Sequence, residues 1–156
     1  MPVYPCAYAD MQAPPTPAFP KGRLIRRTFL SLGLQNGQQR LSCYALVDSG
    51  ADHCVFPRSF MQPLGLDPLT APVDMTVGVG STSIPTHFAD ITLDFGVVQF
   101  SVYAGFTTGM DQIGFGLLGQ AGFFDRNKIA FDYSQELFTI EPYRISNCTT
   151  TRLAQA

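Results

Sequence analysis

Ala45-Leu46-Val47-Asp48-Ser49-Gly50-Ala51-Asp52 carries an apolar run straight into a carboxylate on a tight turn. The residues leading into it, Gln39 to Val47, favour an extended strand, and Ser49-Gly50 favours a bend directly after it. An acid at the end of a buried strand is costly to ionise unless its neighbours stabilise the charge, so the proton affinity of Asp48 depends on its surroundings. Ser49 adds a small hydroxyl able to bond across the turn, and Gly50 lets backbone approach the carboxylate without a Cβ clash. Alone, Asp-Ser-Gly reads as an ordinary surface turn. Its meaning depends on the flanking sequence.

Upstream, Leu24 to Leu34 and Gln39 to Val47 flank Gln35-Asn36-Gly37-Gln38, and Asn-Gly between two strand-forming runs predicts a hairpin. Downstream, Pro57 to Gln62 predicts a short helical turn that stops before Pro63 and Gly65. Val73 to Val77 and Ser83 to Phe95 predict two strands around a glycine-rich tip, Gly78-Val79-Gly80-Ser81. In the second, Ala89, Ile91, Leu93 and Phe95 alternate with Asp90, Thr92 and Asp94, the period of a half-buried strand. Gly96 turns the chain into a strand over Val97 to Ala104. Ile113 to Leu118, broken by Gly114 and Gly116, predicts a buried strand in close backbone contact. Gly119 to Arg126 predicts one or two helical turns, and Lys128 to Tyr133 with Leu137 to Glu141 a final hairpin across Ser134-Gln135-Glu136. No internal repeat is visible.

The 156 residues suit one domain with tails, and 46% hydrophobic against 14% charged residues marks a chain that folds around a core. Thirteen Phe, six Tyr, 14 Gly and 12 Pro favour many short strands and turns. A net charge of −2 gives no electrostatic reason to expect nucleic acid or an anionic membrane as partner. No apolar run reaches the length of about 18 residues that a transmembrane helix needs. The N-terminus lacks a basic start followed by an apolar core, which predicts a cytoplasmic protein. Half of the prolines (Pro2, Pro5, Pro14, Pro15, Pro17 and Pro20) fall in the first twenty residues. Residues 1–22 are therefore expected to be an extended, mobile arm outside any ladder or helix, with the domain over 23–142 and a polar tail over 143–156. Cys6, Cys43, Cys54 and Cys148 are widely spread and are expected to be free thiols. Neither His53 nor His87 has a second ligand at metal-binding spacing, so no metal and no cofactor is called for.

Three features in order resemble the retropepsin-like aspartic proteases. Leu46-Val47-Asp48-Ser49-Gly50-Ala51 looks like the family's active-site loop, Gly78-Val79-Gly80 like its flap tip, and Leu117-Leu118-Gly119 like the block beneath the loop. The resemblance covers roughly Leu24 to Pro142. It implies an all-β, closed β-barrel or sandwich with a flap hairpin and one or two short helices, acting as a homodimer on a polypeptide substrate. Asp48 would be catalytic and Ser49 and Gly50 would support its loop. Ala51, Asp52, Gly78, Val79, Gly80 and Ile84 would meet substrate, the first two at its backbone and Val79 or Ile84 in apolar pockets. One position departs from the pattern: many members place Arg after the second block, paired with the acid that follows the loop, whereas this chain has Asp52 but Gln120. Gln120 can donate a hydrogen bond yet cannot neutralise a carboxylate, leaving Arg126 or a partner's arginine as the alternatives.

Aspartic-protease chemistry needs one ionised and one protonated carboxylate, and the sequence holds one Asp-Ser/Thr-Gly. Asp111, Asp125 and Asp132 lack an apolar strand and Ser/Thr-Gly context and read as turn or capping residues. A twofold dimer that pairs Asp48 with its copy supplies the second acid. The competing readings are a retropepsin-like module that dimerises or binds peptides with little or no hydrolysis, and an unrelated barrel that binds a small molecule.

Overall fold

Runs of β-branched and aromatic residues punctuated by Gly and Pro build strands throughout the computed structural model, which describes residues 2–78 and 80–144. In chain order they are β1 (Tyr4–Ala7), β2 (Ala9–Ala13), β3 (Arg23–Arg27), β4 (Phe29–Asn36), β5 (Gln39–Val47), β6 (Val55–Pro57), β7 (Val73–Val77), β8 (Ser83–Asp94), β9 (Gln99–Thr107), β10 (Gly116–Leu118), β11 (Asn127–Asp132) and β12 (Leu137–Pro142). Two 3₁₀ turns, Arg58–Phe60 and Thr108–Met110, are the helical elements among the described residues. The expected all-β class is what the chain adopts. No helix among the described residues is long and apolar enough to cross a membrane.

The main sheet runs β4-β5-β10-β6-β9-β8-β7, and an added β4–β8 pairing closes part of it on itself. That closure buries Leu34, Phe56, Leu93, Phe106, Leu118 and Phe123, each large side chain contributing roughly 1.5–3 kcal/mol by leaving water. Asp94, 5% exposed, fastens the closure: it accepts from Gly96 N at 2.8 Å, from Gln35 Nε2 at 2.9 Å, and from Arg40. The Gly96 N–H, with Gln99 and Arg40, holds its carboxyl below the ordinary value against the opposing effect of burial. The β4–β5 hairpin forms as expected, with Asn36 paired to Gln39 and Gly37 at φ +58 in the first loop position, where a mirror-image turn needs positive φ.

Several expectations need correction. The proline-rich start does join ladders: β1 pairs with β12 and β2 with β3. Pro5 is tolerated because β1 is an edge strand, and Pro14, Pro15, Pro17 and Pro20 fall in the connection between β2 and β3. Tyr8 fixes this region by donating its N–H to Glu136 O at 3.0 Å and setting its ring edge-on to Tyr133 and Phe138. Arg26 adds ion pairs to Asp10 and Glu136. The single strand expected over Leu24 to Leu34 is two, parted at Thr28. The strand expected from Ile113 begins at Gly116, and the one expected over Val97 to Ala104 spans Gln99–Thr107. Gly119 to Arg126 forms no helix; Gly122 at φ +107 and a bridge between Ala121 and His53 hold it as consecutive turns. Val79, Cys148 and the tail from residue 145 lie outside the described residues.

Candidate active site

Asp48 sits where two parallel strands end together. β10 lies between β5 and β6, in register Leu117↔Leu46 and Leu118↔Val47, and the ladder continues one step as Asp48 N donates to Leu118 O at 3.0 Å. Val47 and Leu118 are buried apolar anchors, so the carboxylate leaves the core on a fixed backbone. Thr28 grips the same place from the other side. Its carbonyl accepts from Val47 N at 2.9 Å and its hydroxyl donates to Val47 O at 3.1 Å. Sequence reasoning missed Thr28; a lone hydroxyl between Arg27 and Phe29, interrupting a strand pattern, was the available signal.

The loop is then tied from within and from below. Asp48 Oδ1 accepts from Gly50 N at 2.9 Å, and Asp48 O from Ala51 N at 3.2 Å. Gln120 donates its backbone N–H to Ala51 O at 2.8 Å and its side-chain Nε2 to Ser49 O at 2.6 Å, while Ala121 N donates to Asp52 O at 2.9 Å. Gln120 thus secures the loop through neutral hydrogen bonds. Arg126 does not stand in for the missing cation: it lies 4.0 Å from Asp125 and over the Phe100 ring. Gly119 has no room for a side chain, since a Cβ there would come within 2.3 Å of His53 O and 2.6 Å of Ala51 O.

The structure therefore brings Asp48, Ser49, Gly50, Ala51 and Asp52 into one pinned loop, with Asp48 half-buried and Ser49, Gly50 and Asp52 exposed. Gly78 and Gly80 stand apart at the exposed tip of the β7–β8 hairpin, where a Cβ on either would meet nothing within 4 Å. Ile84 is half-buried and reaches toward Gly109 in the second 3₁₀ turn.

The other acids have local partners. Asp111 accepts from Ser59 N at 2.9 Å, Asp125 from Gly122 N at 3.0 Å, and Asp132 from Ser134 Oγ and Gln135 N. His53 is exposed and edge-on to Phe88, and His87 is half-buried within β8. Cys6, Cys43 and Cys54 are free, and burial pushes the Cys43 and Cys54 thiols up to about 12, well away from a reactive thiolate. Among the described residues no group of three or more His, Cys, Asp or Glu is placed to hold a metal ion. A cavity of about 1090 Å³ is lined by His53, Leu66, Phe88, Tyr103 and Arg126 among others and does not include Asp48.

No family model and no curated protein sequence matches the chain. Its structure is similar to the crystal structure of a retropepsin-like aspartic protease from Rickettsia conorii, with a TM-score of 0.56 and 12% identity over 84% of this chain and 98% of that one. The likeness is one of fold: this chain has the retropepsin-like all-β architecture.

Proposed function

We propose that the chain is one half of a homodimeric aspartic endopeptidase whose acid–base couple is Asp48 and the Asp48 of a second copy. The observation that carries this reading is the setting of Asp48: half-buried, at the shared end of a parallel strand pair, with one carboxylate oxygen held by Gly50 N–H. The sequence holds one Asp-Ser/Thr-Gly, so the second acid comes from a second copy.

The chemistry follows from the pair. Two carboxylates at about 3 Å cannot both ionise, so they share one proton, and the two apparent pKa values belong to the couple. The ionised member takes a proton from a water held between them as the water oxygen attacks the peptide carbonyl carbon. The protonated member gives its proton to the carbonyl oxygen. The resulting gem-diol collapses as the member now protonated gives its proton to the nitrogen, the other member takes a proton from one gem-diol hydroxyl, and the C–N bond breaks, which returns the couple to one shared proton. Ser49 and Gly50 brace the loop, and Ala51 and Asp52 meet the extended substrate as an added strand. The β7–β8 hairpin, with Gly78, Val79, Gly80 and Ile84, covers it as a lid.

Purified protein incubated with a mixed peptide library at acidic and neutral pH tests the proposal. Cleavage is expected from a dimer, blocked by a pepstatin-type transition-state mimic and lowered about 10³-fold by Asp48→Asn. Absence of cleavage, cleavage indifferent to Asp48→Asn, or full activity from a monomer overturns it. Binding of peptides without cleavage points to the peptide-binding module instead.

A further inference from the structure

Asp52 combines a fixed backbone with an uncommitted charge. Its carbonyl is held by Ala121 N–H, and the next residue, His53, bridges to Ala121. Asp52 is exposed and, among the described residues, its carboxylate makes no hydrogen bond and no ion pair. Two side chains on the neighbouring turn could have engaged it. Gln120 is uncharged and spends its amide on Ser49 O, and Arg126 faces Asp125 and the Phe100 ring. An anion is therefore presented four residues from Asp48, on the same pinned loop, with no internal counter-charge.

From this geometry we infer that Asp52 selects substrates with a lysine or arginine side chain close to the scissile bond; the inference rests on the peptidase reading of the Asp48 loop. A carboxylate that is preorganised yet unpaired loses little conformational freedom when a cation arrives, and no internal salt bridge must break first. The attraction acts in a partly solvated site, so it biases choice among peptides and does not dominate affinity. An internal arginine at residue 120 would remove the bias by occupying Asp52 before substrate does. The glutamine leaves it in place.

The test uses the full chain and an arginine-free mixed peptide library, with lysines free or acetylated, a change that removes their charge and is read against Asp52→Asn to separate charge from bulk. The unaltered protein is expected to cut bonds near lysine about fivefold faster in the free library. Asp52→Asn is expected to cut both libraries alike, and raising the salt to about 1 M, where the Debye length is about 3 Å, should shrink the preference. Equal rates from the unaltered protein, as a partner's arginine seated on Asp52 would produce, overturn the inference while leaving the peptidase reading intact. A preference that survives Asp52→Asn does the same. Cleavage of neither library removes both. Calorimetry on the Asp48→Asn protein gives a reading free of turnover: a lysine peptide should bind about fivefold more tightly than its acetylated form, and equal affinities overturn the inference.

Discussion

The loop around Asp48 and the tip of the β7–β8 hairpin are both short, glycine-containing turns, yet they are held in opposite ways. The loop is gripped by Thr28, Leu118, Gln120 and Ala121, and the neighbouring Gly119 leaves no space for one added carbon. The tip has local bonds, Gly78 N to Thr82 O at 3.1 Å and Ser81 N to Gly78 O at 3.2 Å, with open space around both glycines. β7 is an edge strand that leaves Val73, Met75 and Val77 more than half exposed. Glycine serves closeness in one region and freedom in the other. A group that must sit within a fraction of an ångström of its reacting partner belongs on the first kind of turn, and a cover that must open belongs on the second.

One substitution applied to both regions sharpens this contrast most. Gly119→Ala drives a methyl into two backbone carbonyls, neither on a flexible side chain, and is expected to cost roughly 3 kcal/mol or more in urea unfolding. A cost below about 1 kcal/mol means that the loop can relax, and the contrast fails. The next largest effect belongs to Asp94, which anchors the far end of the strand that carries the tip. Asp94→Asn takes the charge from the group that Gly96, Gln35 and Arg40 all donate to. Because the folded pKa is depressed, the stabilisation is complete above the unfolded carboxylate value of about 3.9 and is lost as pH falls through the lower folded value. Melting temperature of the unaltered protein should therefore fall more steeply below about pH 4 than that of Asp94→Asn, which should be lower and flatter above it. Parallel curves would show that Asp94 is not the anchor.

The difference between the two regions also explains what the amino-acid order disclosed. Asp48, its loop and the β7–β8 hairpin were legible because turn chemistry and period-2 alternation are local signals, readable from Ser49-Gly50 and from Ala89 to Asp94. Close contact around Gly116 was legible too, and a Cβ there would lie 2.3 Å from the Phe56 ring. What misled was long-range pairing. Pro5 argues locally against a ladder, but β12 offers an edge on which its missing N–H costs little. Gly119 to Arg126 has the length of two helical turns, but bonds to Ala51, Asp52 and Cys54 claim its backbone groups first. Gln120 was seen as a departure, while its bond to Ser49 O depends on how β10 places the turn that follows it, which no local pattern encodes.

That bond gives the next prediction down in size. Gln120→Ala removes the 2.6 Å contact but leaves the Gln120 N–H on Ala51 O, so the loop keeps its path with less restraint. Stability should fall by about 1 kcal/mol in urea unfolding. Any peptidase activity should fall through turnover more than through Michaelis constant, because a loop that wanders misplaces the reacting group without removing substrate contacts. A change confined to the Michaelis constant would mean that Gln120 touches substrate and does not position Asp48.

The smallest effect on stability is expected at the tip, where the glycine argument reverses. Gly78 has no positive φ and no atom within 4 Å of a built Cβ, so alanine fits the folded backbone without strain. Alanine also restricts the unfolded chain, a gain of up to about 1 kcal/mol that is offset at an exposed, locally bonded turn where little native structure is at stake. Gly78→Ala should leave urea unfolding within about 0.5 kcal/mol of the unaltered protein, against the several kilocalories expected for the same change at Gly119. If the hairpin closes over substrate, the stiffer tip should slow peptide turnover although stability is unchanged, a pairing that a merely structural turn would not give. A loss above about 1 kcal/mol would instead show the tip to be packed like the loop, and the division between a fixed loop and a free tip would no longer describe this molecule.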